Sequence, residues 1–514
     1  MKKFLISMIM VMLTASFVWA GNYQIVDTGQ KACFDNRKQI KCPDKGDDYF
    51  GQDAQYQGNQ PKYIDNGDGT ITDKVTGLMW VKARGPQLSW QSAIDGAKKC
   101  RIGGYEDWRA PTIKELYSLI DFNGWVQGSK LSSTPFIDTK YFTFAYGDTK
   151  SGRRIIDCQD WSSTVYVSKT MNDNPTAFGV NFADGRIKGY GKNYRRSQGK
   201  KYIRYVRGNP DYGKNSFVDH KDGTIEDTAT SLIWQKNDSG KKLNWEESLT
   251  YCEYLTLGGR NNWRLPNAKE LQSIVDYSRS PATTGSAAID PVFSVTDKES
   301  YYYTSTTHMD GPTPSHAAYV AFGRAMGYFA PPRSNNKRWM DVHGAGAQRS
   351  DPKSGDPDSF PQGRGPQGDD IRIYNYARCV SGGNVTPHTP SYNKIKTWQG
   401  AMPGGSGARA GNRNEMQGYR MHQNQNRPSY NQQQNTFIDQ NMMQNGRGKG
   451  QGQGNLQGPP PEAYTACEGL SSGEDCTVET PRGTLSGICM KRGEHFFCVP
   501  KGHRRGNMGF TNPQ

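Results

Sequence analysis

The residues best equipped for chemistry occur twice. "GGYEDWRAPTIKEL", Gly103 to Leu116, returns as "GGRNNWRLPNAKEL", Gly258 to Leu271. Each copy sets an indole, a guanidinium and a carboxylate within eight residues: Trp108, Arg109 and Glu115, then Trp263, Arg264 and Glu270. Such a trio could hold an anion or move a proton. The spacing also fits a structural use. Thr112 precedes Glu115 by three positions, and Asn267 precedes Glu270 by three, which is the pattern of an N-cap with a returning N3 carboxylate. Ile113, Leu116 and Ile120, like Ala268, Leu271 and Val275, then fall on one apolar helical face. The paired glycines suit the end of a preceding helix, where φ is positive. The block therefore predicts a folding signature with Trp108 and Trp263 as core anchors. Arg109 and Arg264 are expected to pair with a carboxylate or cap carbonyls.

A second candidate is the run "GRIKGYGKNYRRSQGKKYIRYVRG". Arg186, Lys188, Lys192, Arg195, Arg196, Lys200 and Lys201 carry no intervening acid, and Tyr190 and Tyr194 lie among them. Guanidinium and ammonium groups suit sulfate and carboxylate, and tyrosine faces can stack on sugar rings. This run is the expected polyanion site. The bland alternative is a hairpin with tyrosines inside and cations in water. The second half lacks the run, reading "GRAMGYFAPPRSNNKRW" instead.

Metal and catalytic motifs are weak. "DNGDGTITD" suggests calcium, but an EF-hand register would put Ile64 and Val75 at the first and last ligand positions. A turn is the expected reading, with a different calcium geometry through Asp65, Asp68 and Asp73 as the lesser one. His308, His316 and His343 lack ligand spacing. No metalloprotease, phosphate-loop or nucleophile-elbow motif supports an enzyme. No cofactor is expected.

The elements that hold these residues are duplicated. Asp68, Asp73 and Trp80 recur at Asp222, Asp227 and Trp234, 154 positions on, while Trp90, Trp108 and Glu115 recur at Trp245, Trp263 and Glu270, 155 on. Each unit reads as strands, two helices, then strands, an α+β class. The expected layout is an N-terminal segment 21–60, repeats over 61–209 and 215–384, and a mobile insertion at 330–370. A disordered Gln/Asn/Gly-rich linker over 385–462, a small four-cysteine module over 463–500 and a basic tail at 501–514 complete it.

The first twenty residues read as a secretory signal ending at Ala20. Export makes the ten cysteines candidates for disulfides. Cys33 and Cys42 bracket a short loop, and Cys467, Cys476, Cys489 and Cys498 are expected to close on one another, leaving Cys100, Cys158, Cys252 and Cys379. A formal charge of +15 favours polyanions.

The "DNGDGT-TD--TGL-W" entry, the "GG---WR-P---EL" block and the closing "WSS" strand resemble the C-terminal domain family of the Legionella collagen-like adhesin. The resemblance implies a C-type-lectin-like fold in exported bacterial proteins. For the name-giving member it implies binding of sulfated glycosaminoglycans and matrix components. It also implies a bond between Cys252 and Cys379. In the first copy Ala97 and Tyr205 stand at those places, so a substitute Cys100–Cys158 bond is expected there. The resulting expectation is a periplasmic, cell-surface or secreted binding protein for acidic polysaccharide or glycosaminoglycan, able to form homo-oligomers. The alternatives are an envelope assembly component that binds proteins, or an oxidase-type enzyme on a lectin-like fold.

Overall fold

The computed structural model describes residues 23–171, 173–193, 199–330, 334, 336–392, 465–471, 473–480, 483–492 and 495–500. The signal sequence, nearly all of the linker and the basic tail lie outside them.

The N-terminal segment forms a small hairpin, β1 (Cys33–Phe34) with β2 (Gln39–Ile40), closed by the Cys33–Cys42 disulfide, followed by β3 (Tyr56–Gln57). The first repeat supplies β4 (Tyr63–Asp65), β5 (Thr70–Asp73), β6 (Leu78–Val81), α1 (Trp90–Gly96), α2 (Ile113–Ser118), β7 (Asp160–Thr170), β8 (Asn174–Asn181), β9 (Arg186–Gly191) and β10 (Val206–Gly208). The second follows with β11 (Phe217–Asp219), β12 (Thr224–Asp227), β13 (Leu232–Gln235), α3 (Trp245–Glu253), α4 (Ala268–Ser273), β14 (Tyr301–His308), β15 (His316–Ala321), β16 (Met326–Phe329), β17 (Arg338–Asp341), β18 (Gln348–Pro352) and β19 (Val380–Gly382). A last short strand, β20 (Thr386–Pro387), returns to β3.

Local chemistry is the same in both copies. Asp68 Oδ1 accepts from Thr70 N and Oγ1 at 2.9 and 2.6 Å, and Asp222 treats Thr224 identically. These turns, with Gly69 and Gly223 at φ 88° and 89°, launch β5 and β12, whose Ile71 and Ile225 are fully buried. Gly103 and Gly258 sit against the same turns, at φ 63° and 56°. A Cβ at either would approach the Thr70 or Thr224 methyl to 2.8 or 2.6 Å, so the glycines are steric requirements.

Each repeat has a small four-stranded sheet, ordered β10-β6-β5-β4 and β19-β13-β12-β11. The remaining long strands join in a single six-stranded sheet, β14-β15-β18-β9-β8-β7. Its order is palindromic about the β18–β9 pair, where Gln348 faces Ile187. The apolar core is continuous across this seam, from Leu78, Trp80 and Leu116 to Leu232, Trp234 and Leu271. The helices α2 and α4 meet beneath it with reciprocal bonds: Lys114 Nζ donates to Ser273 O at 2.6 Å, and Lys269 Nζ to Ser118 O at 2.9 Å.

Two expectations need correction. The insertion is not a bare loop: β17 pairs with β16, and β18 is the third sheet strand of the second repeat, the counterpart of β9. The extra chain lies on either side of β18, and it covers the charged face of the central sheet. The Cys100–Cys158 bond is not formed; both thiols are free. Cys158 is buried, its Sγ directed at Ile155 O, while Tyr205 fills the place of Cys379 and donates its hydroxyl to Ala93 O at 3.0 Å. The second copy does carry Cys252–Cys379.

The C-terminal module is a separate unit, a three-stranded sheet of β21 (Asp475–Thr480), β22 (Gly483–Arg492) and β23 (His495–Pro500) stapled by Cys467–Cys489 and Cys476–Cys498. No helix among the described residues is long and apolar enough to cross a membrane.

The free thiols generate a test. Burial pushes the Cys158 thiol up to about 12, so it should resist alkylation in the native protein while half-exposed Cys100 reacts. Mass spectrometry should count one label per chain before denaturation and two after it, without reductant.

Candidate binding surface

The repeated trio is internal. Trp108 and Trp263 are 4% and 1% exposed, and each indole N–H donates to a carbonyl six residues earlier, Ile102 O and Leu257 O. Arg109 and Arg264 each grip their glutamate with two bonds of 2.6 Å. The same glutamate closes the capping box by accepting from Thr112 N or Asn267 N. The indole N–H, both carboxylate oxygens and the guanidinium Nη atoms of each trio are thus engaged within the scaffold.

The basic run is mostly interior as well, which corrects the expected site. Arg186 on β9 bonds Asp310 at 2.6 Å and Ser350 at 2.8 Å across the seam. Lys188 stands 3.7 Å from Asp184, and burial holds it at about 8. Tyr190 packs edge-on to Trp161, and Lys201 lies over both rings. The cause is the alternation of β9: Arg186, Lys188 and Tyr190 share a face that the insertion closes, where Gly189 N donates to His343 O at 2.8 Å. Tyr194, Arg195 and Arg196 lie outside the described residues. Of the expected contacts, Lys192 and Lys200 reach the surface.

Lys192 is placed by a feature that sequence reading missed. Its Nζ sits 3.8 Å from the centre of the Trp90 ring at the start of α1. In the second repeat Lys353 sits 3.9 Å from Trp245. Both lysines follow the third strand of their half of the central sheet, so the recurrence of Trp90 at Trp245 was the available signal. The two pairs differ in cover. Trp245 and Lys353 are sealed beneath the N-terminal segment, with Lys353 Nζ 3.2 Å from Asp35 O and Tyr49 beside the indole. Trp90 and Lys192 remain half-exposed, and Lys200 is exposed.

The three aspartates proposed for calcium are turned apart. Asp65 pairs with Lys82, Asp68 with its own Thr70 turn, and Asp73 with the amides of Val75 and Thr76. Asp73 is buried and desolvation raises its pKa, whereas hydrogen bonds from Lys82 and Thr70 lower those of Asp65 and Asp68. Among the described residues, the one group of His, Cys or carboxylate donors close enough to share an ion is Cys467, Cys476 and Cys489, all in disulfides.

The histidines belong to the seam. His308 Nε2 meets Asp184 O, and His343 Nε2 meets Asp369 at 2.9 Å beside Arg349 and Lys188. Burial drives His308 well below its usual pKa and His316 and His343 to about 4.

These features define a duplicated α+β module whose signature residues build the scaffold. The profile of the Lcl C-terminal domain matches residues 69–207 and 223–341, about half of the chain, and the protein belongs to that family. The family takes its name from the Legionella collagen-like adhesin. The second match stops at Asp341, ahead of β18, because the insertion interrupts the repeat there. No curated protein and no solved structure matches the chain.

Two predictions follow from the buried charges. Glu270→Ala leaves Arg264, 4% exposed, without its partner and should cost about 3–5 kcal/mol in denaturant unfolding. Glu115→Ala should cost less, because the Arg109 side chain is 35% exposed and regains water. For His343, the unfolded chain binds a proton near pH 6.5 that the folded chain refuses until about 4, so this group lowers stability as pH falls through that window. Buried Asp53 and Asp351, whose pKa values are raised, oppose it. His343→Gln should therefore raise stability at pH 4.5 relative to pH 7 by roughly 2 kcal/mol, read by urea melts at both values.

Proposed function

We infer that the protein is an exported, non-catalytic binding protein of the adhesin kind. Its duplicated module acts as a C-type-lectin-like scaffold that holds acidic or sulfated polysaccharide on the first repeat. The contacts are Lys192 and Lys200, with Arg195 and Arg196 from the same run. The observation that carries this reading is the Trp90–Lys192 pair: among the described residues an indole and the ammonium group over it are half-exposed in one repeat, while their counterparts are sealed in the other. An aromatic ring beside cations suits a charged sugar. The +15 formal charge and the family's association with a collagen-like adhesin support it. Four disulfides and the signal-like N-terminus support export. Arg186, Lys188, Lys201 and Tyr190 are withdrawn as contacts and assigned to the scaffold.

The test is retention on immobilised heparin over a salt gradient. Lys192→Ala combined with Lys200→Ala should lower the eluting salt while leaving the melting temperature unchanged. Arg186→Ala should instead lower the midpoint of denaturant unfolding, because it takes the partner from Asp310 and leaves Asp184 only Lys188. Unchanged elution of the double variant would remove the site.

A further inference from the structure

The internal symmetry of the molecule is broken at the two ends of the central sheet. At the β14 end, residues 28–35 lie along the strand's outer side. The Gln30 side chain pairs with backbone as a neighbouring strand would: Nε2 donates to Thr307 O at 2.8 Å, and Oε1 accepts from Thr307 N at 2.9 Å. Ala32 and Phe34 then bury Met309 together with Trp125. Every residue of β14 is buried.

The counterpart at the other end is β7. Trp90 Nε1 donates to Ser162 O as Trp245 Nε1 does to Thr304 O, and Ile113 N to Thr164 Oγ1 as Ala268 N to Thr306 Oγ1. Val165 therefore corresponds to Thr307, and Val167 to Met309. Among the described residues β17 reaches β7 at its far end, where Met171 N donates to Asp341 O at 2.9 Å, and no segment pairs with the backbone of Val165 or Val167 on the side away from β8. Val165 and Val167 are 38% and 39% exposed, against 4% for Met309. Beside them is a cleft of about 640 Å³ whose apolar wall includes Val165, Val167, Met171, Ala282 and Met340, with Lys169, Asp173, Arg324 and Asp341 also in its lining.

We propose that this cleft accepts an extended segment of a partner polypeptide, which adds to the β7 edge as residues 28–35 add to the β14 edge. The symmetry-related cover gives the chemistry of the occupant: an amide side chain that pairs with edge backbone, then a small and an aromatic residue alternating into the cleft. The apolar wall, the balance of two cations with two carboxylates in the lining and the strand edge suit a main chain rather than a charged sugar. Ala282, Thr283 and Met340 share the lining with Val165 and Val167, so an added strand would have apolar cover beyond the edge itself. Lys192 and Lys200 do not line the cleft, although Lys192 N donates to the lining Pro175 O at 2.7 Å, so the two readings are told apart by salt: charge binding is screened where apolar strand addition persists.

The probe is a fluorescent peptide of residues 28–35, TGQKACFD with Cys33→Ser, titrated by anisotropy onto the full chain at about 0.5 M salt to screen charge. Saturable one-to-one binding is expected. Val165→Asp with Val167→Asp should weaken it at least about tenfold. Val165→Thr with Val167→Met, which copies Thr307 and Met309, should tighten it. Both changes sit at exposed positions, and circular dichroism confirms the fold. No saturation by about 1 mM peptide overturns the proposal, as does an affinity that neither variant alters. A chain that dimerises in light scattering until Val165→Asp is introduced also overturns it, since the occupant would then be a second copy. Heparin retention reads the polysaccharide site alone, so the two readings fail separately.

Discussion

The pairing of β9 with β18 is the constraint on which the rest of the structure depends. Each repeat supplies three long strands, and three strands with two open edges are a poor independent sheet. Joining them edge to edge hides one edge from each half and lets a single core run through both. The seam is secured by charge. Arg186, Lys188 and Arg349 are offset by Asp184, Asp310 and Asp369, so the buried set is close to neutral with its histidines uncharged. Such a network costs desolvation, and its gain is in fixing one register.

The insertion and the N-terminal segment complete this arrangement unevenly. The insertion brings His343 and Asp369 over the seam's charged face, which a single repeat has no means to cover. The N-terminal segment covers the second repeat, sealing Trp245, Lys353 and the edge of β14. Among the described residues the corresponding surface of the first repeat is left half-exposed. Duplication here has divided the work: one copy became support, and the other kept its outward face.

The sequence made the local devices legible. The capping boxes at Thr112 and Asn267, the left-handed glycines at Gly103 and Gly258, and the buried indoles follow from spacing alone because each is settled within a few residues. The Cys33–Cys42 loop was equally local. What could not be read was long-range. Arg186 and Lys188 look like solvated cations because their partners Asp310 and Asp184 come from another strand or a turn. In β18, "QRSDP" has no apolar alternation, since its side chains face charges and a tyrosine hydroxyl, so it passed for loop. Cys158 misled because burial and a carbonyl contact satisfy a thiol without a partner.

The crossed lysines of α2 and α4 bear on how such a protein can be inherited. Lys114 finds its acceptor at Ser273 and Lys269 finds its at Ser118, so each copy completes the other's helix end. A chain cut between Gly208 and Phe217 would open the seam, taking one carbonyl from each lysine and leaving a strand of each half without its neighbour. The tandem is therefore one cooperative folding unit, and loss of either copy from the gene would remove both.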